Sequence, residues 1–134
     1  MDKKLNIIVI EDEVVSCTKL TKILEPYGNC NEFYEGSKAI EFYDNFLQNG
    51  KRINLITLDI AMPVLDGIRT LEQLRTVEKN NNIGEKDAAK IIMVTSSFDK
   101  DQITACFEKG CNDYIIKPFD EEKLLDRLKN NNLV

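Results

Sequence analysis

The strongest constraint on the fold is an alternation that runs the length of the chain. Five short runs, most of them apolar and β-branched, are separated by stretches with helical spacing. Leu5–Ile10 (LNIIVI) is bounded by acids and reads as a strand. Val14 to Leu24 then places Val14, Cys17, Leu20, Ile23 and Leu24 on one helical face, and Pro26 with Gly28 ends that helix. Asn31–Glu35 is a polar run, expected as a strand near the sheet edge. Ser37 is the expected cap of a second helix burying Ala39, Ile40, Tyr43, Phe46 and Leu47. Ile53–Leu58 is the third strand, followed by a helix through Ile68, Leu71, Leu74 and Arg75. Ile91–Thr95 (IIMVT) is the fourth strand. Asp99 is the expected cap of the next helix, with Ile103, Cys106 and Phe107 inward and Gly110 as terminator. Asp113–Ile116 and a helix from Asp120 to about Leu128 complete the pattern, and the polar Lys79–Lys90 is expected as a surface loop.

Strands that are apolar throughout, instead of at alternate positions, are buried on both faces. Five βα units of this kind imply a parallel sheet with helices on each side, a doubly wound α/β fold. No internal repeat or Gly/Ser linker divides the 134 residues, so residues 1–134 are expected to form a single domain.

Several function classes are disfavoured. The net charge is −5 and the Lys and Arg residues are scattered, which argues against direct nucleic-acid binding. No apolar run approaches the roughly 20 residues of a membrane span, so membrane insertion is not expected. The start, MDKKLNIIVIEDE, lacks the form of a secretory leader, and the expected location is cytoplasmic. Cys17, Cys30, Cys106 and Cys111 form no CxxC pair and are expected as free thiols. The chain has no histidine, which removes Ser-His-Asp and Cys-His chemistry and His-based zinc sites.

In doubly wound folds, ligands bind beyond the carboxyl ends of the strands. Here those ends carry Glu11 and Asp12, Asp59, Thr95 and, after the fifth strand, Lys117. Taken singly, Asp12 could cap a helix and Thr95 could be ordinary strand filler. Taken together they form a coherent set. Carboxylates converging on one spot repel each other unless a cation intervenes. An all-oxygen donor set suits a hard ion, and few protein ligands with retained waters favour Mg²⁺ over Ca²⁺. A hydroxyl and an ammonium beside that ion suit a phosphoryl group, and an aspartate that takes one becomes an acyl phosphate.

Four segments in order, IVIEDE, LDIAMPVLDG, IIMVTSS and NDYIIKPF, resemble the receiver domains of two-component response regulators, especially the single-domain CheY-like chemotaxis type. The resemblance runs from Lys4 to about Leu128. It implies a flavodoxin-like sheet of order 2-1-3-4-5 with five helices. It implies Asp59 as phosphoacceptor and Mg²⁺ held by Asp12, Asp59 and the Ala61 backbone carbonyl, with Glu11 acting through water. Thr95 would contact the phosphoryl group and Lys117 would pair with it. Tyr114 would be the switch aromatic that moves inward with Thr95. The Lys117–Pro118 bond would be cis, and Pro63 with Asp66-Gly67 would shape the loop after the third strand. Glu11 replaces the commoner Asp, and Ala61 and Ser97 occupy positions that tune phosphate lifetime.

The expected function is therefore a phosphorylation-dependent switch, a phosphoacceptor regulator and not an enzyme, that catalyses its own phosphorylation and dephosphorylation with Mg²⁺. The implied phosphodonor is a sensor histidine kinase or a histidine phosphotransfer protein. The implied output, an unidentified protein or a fused effector domain, would read the face of the fourth helix, fifth strand and fifth helix, around Ile103–Lys109, Tyr114 and Leu124–Leu128. The same face could support a weak homodimer. One alternative is a pseudo-receiver that binds partners without phosphorylation. A haloacid-dehalogenase-type hydrolase would want an acid where Ala61 stands.

Overall fold

The computed structural model describes residues 4–61 and 66–134. The elements run β1 (Leu5–Ile10), α1 (Val14–Leu24), a 3-10 turn (Glu25–Tyr27), β2 (Gly28–Phe33), α2 (Gly36–Gln48), β3 (Leu55–Leu58), α3 (Gly67–Asn80), β4 (Lys90–Thr95), α4 (Lys100–Glu108), β5 (Asp113–Ile116) and α5 (Glu121–Asn130). The five strands are parallel, in the order β2-β1-β3-β4-β5. This is the flavodoxin-like arrangement expected from the sequence.

The apolar strands are explained by two cores. Ile8, Ile10, Ile56, Leu58, Ile91 and Met93 face Ala39, Tyr43, Leu71, Leu74 and Cys106 of α2, α3 and α4. The alternate residues Ile7, Val9, Leu55, Ile92, Val94 and Ile115 face Cys17, Leu20, Leu24, Leu124 and Leu128 of α1 and α5. Each central strand is thus covered on both sides, and only the edge strand β2 is polar.

Four details differ from the sequence reading. β2 begins at Gly28, not Asn31, because glycine can pass against β1 where a Cβ would lie 2.2 Å from the Leu5 carbonyl oxygen. Ser37 does not cap α2; the helix starts at Gly36 after Glu35, and the Ser37 hydroxyl donates to the Glu35 carboxylate. Phe107 is 47% exposed, because α4 turns only Cys106 fully into the core and the next residue points about 100° away. Leu124 and Leu128 are fully buried under the sheet, so α5 presents other side chains outward.

Asp99 caps α4 as expected, accepting from the Gln102 backbone N–H; Asp120 proves to cap α5, accepting from the Lys123 N–H, and Gly110 follows α4 with φ of 111°. α3 extends to Asn80, which shortens the polar Lys79–Lys90 loop. Pro63 lies outside the described residues. All four cysteines are free thiols. Among the described residues no helix is long and apolar enough to cross a membrane.

Candidate functional site

The carboxyl ends of the strands meet at one edge, held there by continuation of the ladder. Glu11 N–H donates to the Phe33 carbonyl at 2.9 Å, Asp59 N–H to Ile10 at 3.3 Å and Lys117 N–H to Thr95 at 2.8 Å. Glu11 follows Val9 by two residues and Lys117 follows Ile115 by two, so both continue the pleat that faces α1 and α5. The strands therefore aim these side chains at one point.

At that point, carboxylate oxygens of Glu11, Asp12 and Asp59 lie within 4.8 Å of one another. Glu11 is wholly buried and Asp59 is 4% exposed. Lys117 Nζ sits among them, 2.8 Å from Glu11 Oε1 and 3.0 Å from Asp59 Oδ2. Burial opposes the charge on Lys117, but contacts with Glu11 and Asp59 outweigh it and raise its pKa. Burial, reinforced by the charge on Asp59, outweighs Lys117 at Glu11 and lifts that carboxyl to about 7. The Ala61 backbone N–H donates to the other Asp59 oxygen at 3.2 Å.

Thr95 is buried at the end of β4, beside β3. Its hydroxyl oxygen accepts from Ser97 N–H at 3.4 Å, while the Ser97 carbonyl accepts from the Tyr114 hydroxyl at 3.1 Å. Ser97 thus links Thr95 to half-buried Tyr114, whose phenol is pushed up to about 12, chiefly by burial. Ile60, Ala61, Thr95, Ser97 and Gln102 line an open cleft of about 470 Å³ beside the carboxylates. The Lys117–Pro118 peptide is cis.

Asp66 and Gly67 play sharper parts than a loop turn. Asp66 caps α3, accepting from the Arg69 N–H at 2.9 Å. At Gly67 a Cβ would lie 2.1 Å from the Asp59 carbonyl oxygen, so the helix start presses directly on the aspartate's backbone.

One participant in the site and one structural network elsewhere escaped the sequence reading. Glu13 Oε1 lies 3.2 Å from Lys117 Nζ, adding a further carboxylate to the site; the only hint was the acidic run EDE. At the opposite end of the strands, Arg75 binds the Glu78 carboxylate, Ala89 and Gly110 carbonyls and Asn112. Sequence spacing had marked it only as part of a helix.

Among the described residues the carboxylates outnumber the one ammonium beside them, and the clustered donors are all oxygen. A small divalent cation such as Mg²⁺ fits this donor set and would offset the remaining charge.

The comparisons with known proteins agree with the geometry. A family model described as the response regulator receiver domain matches residues 7–129. The Bacillus subtilis protein CcdB is 32% identical over 122 residues, covering 90% of this chain and 91% of that protein. The chemotaxis protein CheY of Treponema pallidum is 27% identical over 124 residues, covering 91% of this chain and 78% of its own. Among solved structures, a chain of the CheX–CheY–BeF3–Mg²⁺ complex from Borrelia burgdorferi superposes with a TM-score of 0.81 at 29% identity, covering 96% of this chain and 89% of that one. The chain belongs to the response regulator receiver domains, and is a CheY-like member of that family.

Proposed function

We propose that residues 1–134 form one receiver unit that acts as a switch, phosphorylated on Asp59 by a histidine-borne phosphoryl group. The observation that carries this reading is Lys117 Nζ, bonded at 3.0 Å to Asp59 within a cluster of carboxylates that converge to 4.8 Å. An Asp59 carboxylate oxygen attacks phosphorus, the P–N bond of the phosphohistidine breaks, and the imidazole leaves with the electron pair and takes up a proton. The product is an aspartyl phosphate.

Asp12, Asp59 and the Ala61 carbonyl would hold Mg²⁺, with Glu11 reaching it through water; the ion would neutralise charge on the transferring oxygens. Lys117 orients and neutralises the phosphoryl group from the other side. Thr95 donates its hydroxyl to a phosphoryl oxygen, which draws it from Ser97 N–H and loosens the Ser97 carbonyl that anchors Tyr114. Tyr114 then moves inward, changing the α4-β5-α5 face on which an output protein or effector domain, or a second copy in a weak dimer, would dock. The outer contribution of that face includes exposed Phe107. The phosphodonor, a sensor histidine kinase or histidine phosphotransfer protein, places the chain's work in the cytoplasm. Ala61 brings no polar side chain to position a hydrolytic water, so the phosphorylated form is expected to be long-lived.

The test is incubation with Mg²⁺ and acetyl phosphate, followed by intact mass. A gain of one phosphoryl group that disappears in Asp59→Asn and in chelator supports the reading. No gain would leave a pseudo-receiver. Lys117→Ala is expected to separate phosphorylation from the conformational change; a normal shift of the Tyr114 NMR signals on phosphorylation of that variant would remove Lys117 from the switch.

A further inference from the structure

Glu13 is the N-cap residue of α1, yet its side chain makes no capping hydrogen bond. A residue there ordinarily accepts from the N–H groups of the first turn. Instead, Glu13 Oε1 lies 3.2 Å from Lys117 Nζ and accepts from the Ser16 hydroxyl at 3.0 Å. Its own backbone N–H donates to Glu11 Oε2 at 3.3 Å. The side chain thus leaves the backbone N–H groups of its helix uncapped, and Ser16 of the first turn holds it toward the ammonium, which lies close to Glu11, Glu13 and Asp59 at once.

An ammonium has three N–H donors. Lys117 donates to Asp59 at 3.0 Å and to Glu13 at 3.2 Å, and its ammonium also ion-pairs with Glu11 at 2.8 Å. A phosphoryl oxygen arriving at Asp59 needs one of these donors. Glu11 is wholly buried, and stripping its partner would leave a desolvated charge. Glu13 has a side chain 64% exposed and the longest contact, so water replaces Lys117 there with little loss.

This inference rests on Asp59 phosphorylation. We propose that Glu13 is a positioning residue: it holds one Lys117 N–H in the unphosphorylated protein and yields it to the incoming phosphoryl group, so its grip sets how readily Asp59 is phosphorylated.

Three variants test it. Glu13→Gln removes the charge, Glu13→Asp keeps the charge but shortens the reach, and Ser16→Ala removes the hydroxyl that orients the carboxylate. With acetyl phosphate and saturating Mg²⁺, Glu13→Gln and Glu13→Asp should both phosphorylate about two- to fivefold faster, the span an exposed ion pair covers. Ser16→Ala should move the rate the same way by less. A wild-type rate in Glu13→Asp beside a faster Glu13→Gln would mean simple repulsion of the anionic donor and overturn the tether. Slower phosphorylation of Glu13→Gln with a raised Mg²⁺ requirement would assign Glu13 to the metal instead, and also overturn it. A second measurement needs no phosphorylation: the Lys117 ammonium ¹⁵N–¹H signal, assigned by its loss in Lys117→Arg. Its hydrogen exchange should speed up severalfold in Glu13→Gln, and unchanged exchange would refute the contact. If the wild-type chain takes up no phosphoryl group, the functional reading and the rate-setting role fall together, while the ammonium signal still decides the tether.

Discussion

Removing the charge of Glu11 should stabilise the metal-free protein, and the gain should depend on pH in a defined direction. The Glu11 carboxyl is wholly buried, and burial together with the charge of Asp59 lifts it from 4.5 to about 7. The folded protein then holds a proton that the unfolded chain has released between those pH values. Stability contributed by this group is fully present below about pH 4.5 and is lost as pH rises through 7, because the unfolded state binds fewer protons. The gap corresponds to about 3 kcal/mol. Glu11→Gln has no such titration. Its advantage over wild type should therefore rise from about 1 kcal/mol at pH 5 to about 3 kcal/mol at pH 8, or roughly 10 °C in Tm for a chain of this length. Urea unfolding at intervals from pH 5 to 8, with metal chelated, reads the difference directly and cancels other titrating groups. Saturating Mg²⁺ should restore wild type at pH 8 far more than the variant, since a ligand that binds only the folded state stabilises it. An advantage of Glu11→Gln that is flat with pH, or that shrinks from pH 5 to 8, would refute the electrostatic account.

Arg75→Met keeps the apolar stem but removes all the guanidinium contacts, leaving Glu78, whose side chain is 5% exposed, without its cation. A loss of about 3 kcal/mol in urea unfolding is expected, and a loss below about 1 kcal/mol would show that the network adjusts around it. Gly67→Ala forces a Cβ against the Asp59 carbonyl oxygen, where only 2.1 Å is available. It should cost about 2 kcal/mol or more in thermal unfolding and slow labelling of Asp59 by acetyl phosphate; wild-type behaviour in both would mean that the helix start shifts freely.

The strand ends were legible because each candidate closes an apolar run. Glu11, Asp12, Asp59, Thr95 and Lys117 stand where buried strands must give way to chemistry or solvent, and the parallel order brings those ends together. What the sequence could not convey was contact between distant positions and the phase of short helices. Glu13 and Lys117 are 104 residues apart, and nothing local to EDE says that its last acid reaches across rather than capping α1. Arg75 meets Gly110 across 35 residues. For α4, the spacing of Ile103, Cys106 and Phe107 satisfies helical periodicity in more than one phase, and only packing decides that Cys106 is buried and Phe107 exposed. The start of β2 was hidden by its polar composition, since an edge strand gains its register from backbone pairing with β1, from Leu5 with Gly28 onward.

The charge imbalance at the strand ends is itself an argument about function. A chain selected for stability alone would not bury Glu11 where burial lifts its carboxyl to about 7, with Asp59 close beside it. Lys117 relieves part of the repulsion, but one ammonium cannot answer Glu11, Asp12, Glu13 and Asp59 together. Local rules are broken in this way where binding energy is to be used. A second cation would relieve what Lys117 leaves over, and the relief would be largest when the cluster is fully ionised. The ionised form is the one in which a carboxylate is a nucleophile, so under the proposed phosphorylation of Asp59 the arrangement that weakens the resting fold would also ready that residue for phosphate.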